Sequence, residues 1–194
     1  MSSHKLQEKF LLLKLKLNPA DTEAYARLYD LYVDKIYRFI LFKVNHKEEA
    51  QDLTADVFLK VWQYLQNNKK LGYFKALLYQ SARNLVIDHY RQKAKRKVVK
   101  DEDVMKNIID ERGHTIIEEL EIKSEIKGLD YFFRKLKPEY QEILILKYIE
   151  NYPSAEIAKI LDKSRGNVRV LAHRALKLLQ TLINEADNKP KRYD

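Results

Sequence analysis

EEAQDLTADVFLKVWQYLQNNKKLGYFKALLYQSARNLVIDHYRQKAKR (48–96) decides how the chain is read, because an acid-bearing helical pattern stands directly before an aromatic, increasingly basic one. In the first half Ala50, Leu53, Val57, Val61 and Tyr64 recur every three or four residues, the spacing of a buried helical stripe. Asp52 and Asp56 stand four apart and share a face beside that stripe, where they suit a basic protein surface. The second half begins at Phe74 and sets Leu77, Leu78, Ala82, Leu85 and Ile87 inward, with Lys75, Arg83, Asn84, His89 and Arg91 outward. Cations for phosphates, an amide for base edges and rings at Tyr73, Phe74, Tyr79 and Tyr90 for stacking form a pattern for nucleic acid. Between the two, QNNKKLGY (66–73) is polar and holds one of only four glycines, which marks a loop able to hold an unstacked base.

The composition narrows the class. A chain of 194 residues, 45% hydrophobic, has room for one ordinary domain or two small ones, and reads as soluble and intracellular in style. No apolar run reaches the roughly 18 to 20 residues of a membrane span, so no membrane insertion is expected. Lysines interrupt the leucines of MSSHKLQEKFLLLKLKL (1–17), giving an amphipathic opening helix rather than a signal segment. The absence of cysteine excludes disulfides and thiolate metal sites. The five histidines have no ligand spacing, so neither metal nor cofactor is expected.

A net charge of +9 points to a polyanionic partner, and its distribution sharpens the point. Residues 98–128 hold nine acids against five bases, so the excess of positive charge belongs to the rest of the chain. RQKAKRKVVK (91–100) carries six bases in ten residues and follows directly on the aromatic helix, where phosphate contact is the expected use.

Scarce glycine and proline, with Leu, Ile, Lys, Glu and Ala between them, make the chain all-α. An opening helix over about 4–17 is followed by one that Asp21 or Thr22 can cap, with Tyr25, Leu28, Tyr29, Tyr32, Ile36 and Phe39 inward. The expected organisation is a first helical domain over 1–97, an acidic linker over 98–128, a second small helical domain over 129–186 and a tail over 187–194. In the second, a helix from Pro138 holds Tyr140, Ile143, Leu144, Leu146 and Ile149. A turn through Asn151 and Pro153, the short SAEIAKIL, a turn at Asp162 to Ser164 and a longer helix from Arg165 have the lengths of a helix-turn-helix. Ile157, Leu161, Val168 and Ala172 would join its two helices, leaving Asn167, Arg169, His173 and Arg174 for the groove or backbone of duplex DNA.

DLTADVFLKVW followed by FKALLYQSARNLVIDHYR, with LKPEYQEILILKYIENYPSAEIAKILDKSRGNVRVLAHRALKLL (136–179) behind it, resembles the bacterial extracytoplasmic-function (ECF) sigma factors over nearly the whole chain. The resemblance implies a non-enzymatic, cytoplasmic promoter-specificity subunit of RNA polymerase. Asp52 and Asp56, with Leu53 between them, match positions that bind the clamp helices of the polymerase largest subunit, and the second domain would meet the flap of the second-largest subunit. The minus-10 element would be read by Arg83, Asn84 and Arg91 together with Asn67, Asn68, Lys69, Tyr73 and Phe74 at the loop. The minus-35 element would fall to Arg169 and Arg174, and an anti-sigma factor is an expected partner. Departures from the family pattern are Ala55 for a frequent glutamine, Leu77 for a usual tryptophan, Asp162 for a turn glycine, Pro153 for a capping Ser or Thr, and Leu171 at a commonly basic position. The alternative is a stand-alone helix-turn-helix regulator that does not bind core polymerase. A nuclease would need clustered acids for metals, which the sequence lacks.

Overall fold

The computed structural model describes residues 3–44, 46–67, 72–98 and 127–187, and all the regular structure among them is helical. The chain divides into two compact units, 1–107 and 108–194, each with its own core. The residues of the expected acidic linker, save its ends, lie outside the described residues, as does most of the expected tail.

The first unit is built from α1 (Ser3–Leu17), α2 (Thr22–Val44), α3 (Lys47–Asn67) and α4 (Phe74–Val98). Asp21 caps α2, its side chain accepting from the Ala24 N–H at 2.9 Å, so of the two residues expected to cap, aspartate does so. α2 is the spine of the bundle: Leu28, Ile36, Phe39 and Ile40 are wholly buried. Its aromatic residues meet partners in sequence, Tyr25 against Trp62 and Tyr29 against Phe58 of α3, then Tyr32 against Phe74 and Phe39 against Tyr79 of α4. Those pairings run α3 antiparallel to α2 and α4 parallel to it. Each edge-on ring pair contributes about 1 kcal/mol beyond the area it buries. The Tyr25 hydroxyl donates to the Phe58 carbonyl, and burial holds its pKa far above the ordinary phenol value, partly offset by a backbone hydrogen bond from Trp62.

Two inward assignments shift. Tyr64 and Ile87 are each 42% exposed, while Phe58 and Leu65 complete the buried stripe of α3 and Tyr79 and Val86 that of α4. Tyr29, also expected inward, keeps its ring on Phe58 at the rim.

The second unit holds α5 (Lys127–Lys135), α6 (Pro138–Leu144) with a π-helical turn (Ile145–Ile149), α7 (Ser154–Leu161) and α8 (Arg165–Asp187). The Gln141 amide reaches the carbonyls of Phe133, Arg134 and Leu136 at 3.0 to 3.3 Å, satisfying the open end of α5. The single helix expected from Pro138 widens into the π turn, closed by Glu150 N–H donating to the Ile145 carbonyl at 2.9 Å. The widening leaves Ile143, Ile145 and Leu146 in the core and turns Ile149, expected inward, toward solvent.

Candidate nucleic-acid and polymerase interfaces

α3 presents Asp52, Ala55, Asp56 and Leu59 on its solvent face, spaced by three and four residues, so they form one surface strip. Asp52 and Asp56 are exposed as the sequence indicates. Leu53 is only 7% exposed and belongs to the core, because it falls on the stripe of Ala50 and Val57. The apolar member of the acidic face is Leu59, 54% exposed, which sequence reading missed although its spacing from Asp52 and Asp56 marks it.

α4 places its candidates unevenly. Asn84 and Arg91 are exposed, seven residues apart and therefore on one stripe, which Ile87 and Asp88 share. Arg91 pairs with Asp88 one turn before it at 3.6 Å. Arg83 and Tyr73 are half-buried beside this stripe, and Asn67 is exposed at the end of α3. Asn68 and Lys69 lie outside the described residues.

Five α4 side chains depart from the outward or stacking role expected of them. Phe74 is 1% exposed with its ring edge-on to Tyr32 at 5.7 Å, so it has no free face for a base. Tyr79 is wholly buried against Phe39, and Tyr90 donates its hydroxyl to the Lys43 carbonyl at 2.6 Å. Lys75 is 8% exposed, its ammonium 3.4 Å from Glu8 of α1. His89, expected as a surface residue, sits half-buried 3.0 Å from Glu49 of α3, which also accepts from Lys93 at 2.8 Å. Burial pushes the Glu49 carboxyl up, but the hydrogen bond and charge of Lys93, with His89 and His46 nearby, carry it below its ordinary value.

In the second unit α7 and α8 form a helix-turn-helix. Asp162 closes α7 in the left-handed conformation, φ 52° and ψ 54°, doing without a glycine. α7 begins at Ser154 behind an extended Pro153 with no side-chain cap. The Ser164 hydroxyl accepts from the Asn167 N–H at 3.1 Å and caps α8, and Lys163 ties the turn to Glu139 of α6 at 2.7 Å. Ile157, Val168 and Ala172 are buried between the helices as expected, Leu161 only partly. Leu171 is 8% exposed, so a core contact replaces the phosphate contact a base would offer there. Asn167, Arg169, His173 and Arg174 are all exposed on the second helix, the element that enters a major groove in such motifs.

Among the described residues no group of His, Cys, Asp or Glu is placed to hold a metal, and no helix is long and apolar enough to cross a membrane.

An acid-faced bundle joined in one chain to a helix-turn-helix defines the class as a two-unit DNA-binding protein. The family model for sigma-70 region 2 matches residues 28–96 and that for sigma-70 region 4 matches 128–179. Similar proteins include the ECF RNA polymerase sigma factor BldN of Streptomyces coelicolor, 33% identical over 84% of this chain and 61% of BldN. SigM of Bacillus subtilis is 27% identical over 83% of this chain and 96% of its own. The fold matches that of CnrH, solved with the cytosolic domain of CnrY, with TM-score 0.66, 17% identity and 92% and 98% of the two chains covered. It also matches RpoE, solved with the anti-sigma factor NepR from Bartonella quintana, with TM-score 0.61 and 17% identity over 84% and 98%. The chain belongs to the sigma-70 family, as an RNA polymerase sigma factor of the ECF group.

Proposed function

We propose that this sigma factor docks on core polymerase through the strip of Asp52, Asp56 and Leu59, reads duplex minus-35 DNA with α8, and captures unpaired minus-10 bases along α4. The observation that carries the reading is the separation of faces within one bundle: α3 offers acids and an exposed leucine, while α4 offers Asn84, Arg91 and a basic end. A cationic clamp surface would meet the first and promoter DNA the second.

Minus-10 capture falls to Asn84, Arg83 and Arg91 with Tyr73, Asn67, Asn68 and Lys69, while Phe74 supports them from the core. Arg169 and Arg174, with Asn167 and His173, hold the minus-35 duplex. Trapping an extruded base offsets an unstacking cost of a few kcal/mol, so strand opening is driven by binding and the chain performs no reaction of its own. Phosphate contacts make the affinity salt-sensitive, and few base contacts select the promoter. The site of action is the cytoplasm, where core polymerase works. Since CnrH and RpoE were solved with CnrY and an anti-sigma factor, a protein that covers the same faces is the expected regulator.

The test is reconstitution of the purified chain with sigma-free core polymerase on a genomic fragment library, with transcript 5′ ends mapped. Starts sharing two upstream elements support the reading, and Asp52→Lys should abolish them while the far-ultraviolet spectrum stays unchanged. Duplex binding without any complex with core would overturn it in favour of a stand-alone regulator.

A further inference from the structure

In the first two turns of α8 the outermost line is not polar, and a charge stands on that line only further along, at Lys177. Val168, Leu171, Ala172, Ala175 and Leu179 form its buried stripe. At about 100° per residue, Gly166 and Val170 both fall within about 25° of the direction opposite that stripe, whereas Asn167, Arg169 and Arg174 lie about 65° to 85° to either side. Val170 is 46% exposed there, an apolar side chain at the pole of a face otherwise made of Arg165, Asn167, Arg169, His173, Arg174 and Lys177.

Gly166, one turn before it, meets no need inside the protein. None of the described glycines has a positive φ. A Cβ at Gly166 would find only the Ser164 hydroxyl, at 4.0 Å. Glycine in a first helical turn weakens the helix. A missing side chain that the fold does not require, at the point of the helix that faces outward, is room for something outside the chain.

In a major groove the base edges offer donors and acceptors and a single kind of apolar group, the 5-methyl of thymine. Valine has nothing to exchange with the polar edges, and burying them against it leaves them without water or partner. We infer that Val170 reads a thymine in the duplex site, its branched side chain seated on the 5-methyl group, with Gly166 giving the helix backbone room to lie that close. Arg169 and Arg174 then flank the contact, reaching guanine or phosphate on either side. The inference rests on the promoter-reading function proposed above and adds to it the base that α8 selects.

The experiment uses the full chain and a duplex selected from a randomised library by that chain, resynthesised with deoxyuridine replacing each thymine in turn. One replacement should weaken wild-type binding about fourfold, the worth of one buried methyl. The same replacement should cost nothing in Val170→Ser, and Val170→Thr, which keeps a γ-methyl, should recover the discrimination. Gly166→Ala should raise the melting temperature yet weaken duplex binding by roughly tenfold, a combination that a purely structural glycine would not give. The inference is overturned if selected duplexes carry no thymine within the footprint of α8, if no replacement matters, or if the loss is the same in Val170→Ser. Loss of all sequence-selective binding would bring down the promoter-reading function itself, an outcome told apart by the behaviour of the unmodified duplex.

Discussion

Lys93 Nζ of α4 donates to Glu49 Oε1 of α3 at 2.8 Å, and the other oxygen of that carboxylate lies 3.0 Å from His89 Nε2. One acid near the start of α3 therefore holds two bases of α4 and fixes where the basic end of that helix points. Replacing it with Gln should cost about 0.5 to 1 kcal/mol, since the pair is partly exposed. The pH dependence has a definite sign. The Glu49 pKa is lowered on folding, so its stabilisation is present above the ordinary carboxylate value of 4.5 and is lost as pH falls through the lower folded value. Denaturant unfolding across that acid range should show a flatter dependence in Glu49→Gln than in the wild type, and parallel curves would argue against the bridge in solution.

The pair of Lys75 and Glu8 anchors α1 to the bundle in a near-dry setting, their side chains only 10% and 18% exposed. Glu8→Ala takes the carboxylate from a buried ammonium and should cost about 2 kcal/mol. Glu8→Leu with Lys75→Met removes both charges and should restore most of that loss. A double-mutant cycle by urea denaturation reads the coupling directly, and additive losses would remove the pair from the account of how α1 docks.

Lys75 also shows where sequence reading stops. Periodicity placed the helices other than α5, because each buries a stripe with 3.6-residue spacing, and the turn at Asp162 and a cap at Asp21 or Thr22 followed from side-chain chemistry. The positions that failed depend on neighbours distant in sequence. Phe74 and Lys75 open α4, where spacing cannot tell inside from outside, and the packing of Tyr32 and the charge of Glu8 bury both. Leu53 and Leu59 are a different case, because helical spacing alone sets Leu53 on the stripe of Ala50 and Val57 and Leu59 on the line of Asp52 and Asp56. The π turn at Ile145 has no residue signature of the kind proline or glycine gives a kink.

Those two leucines separate packing from docking. Leu53→Ala opens a cavity in the core of the first unit and should lower stability by about 3 kcal/mol, with core-polymerase affinity of the folded fraction little changed. Leu59→Ala should leave stability within about 0.5 kcal/mol, as exposed positions do. It should also weaken binding to core polymerase by about tenfold, because an apolar anchor among acids is lost from the interface. Unfolding curves and titration of labelled chain with core enzyme check both halves. Equal affinity in Leu59→Ala and wild type would take this residue out of the docking strip.

Asp162 holds the helix-turn-helix together at a conformation aspartate tolerates and most residues do not, with its N–H on the Ala158 carbonyl and the Lys163 N–H donating to the same oxygen at 2.9 Å. Glycine there removes the steric cost of φ 52° while adding freedom to the unfolded chain, so Asp162→Gly should stabilise the second unit by about 0.5 kcal/mol. Asp162→Val places a β-branched side chain in the left-handed region and should cost about 2 kcal/mol. The same strain bears on recognition, because this turn sets the angle at which α8 leaves α7. The valine variant should therefore lose duplex affinity at temperatures where circular dichroism still shows it helical, and the glycine variant should not. A valine variant that melts with the wild type would mean that the turn is not left-handed in solution, and the angle of the reading helix would need another explanation.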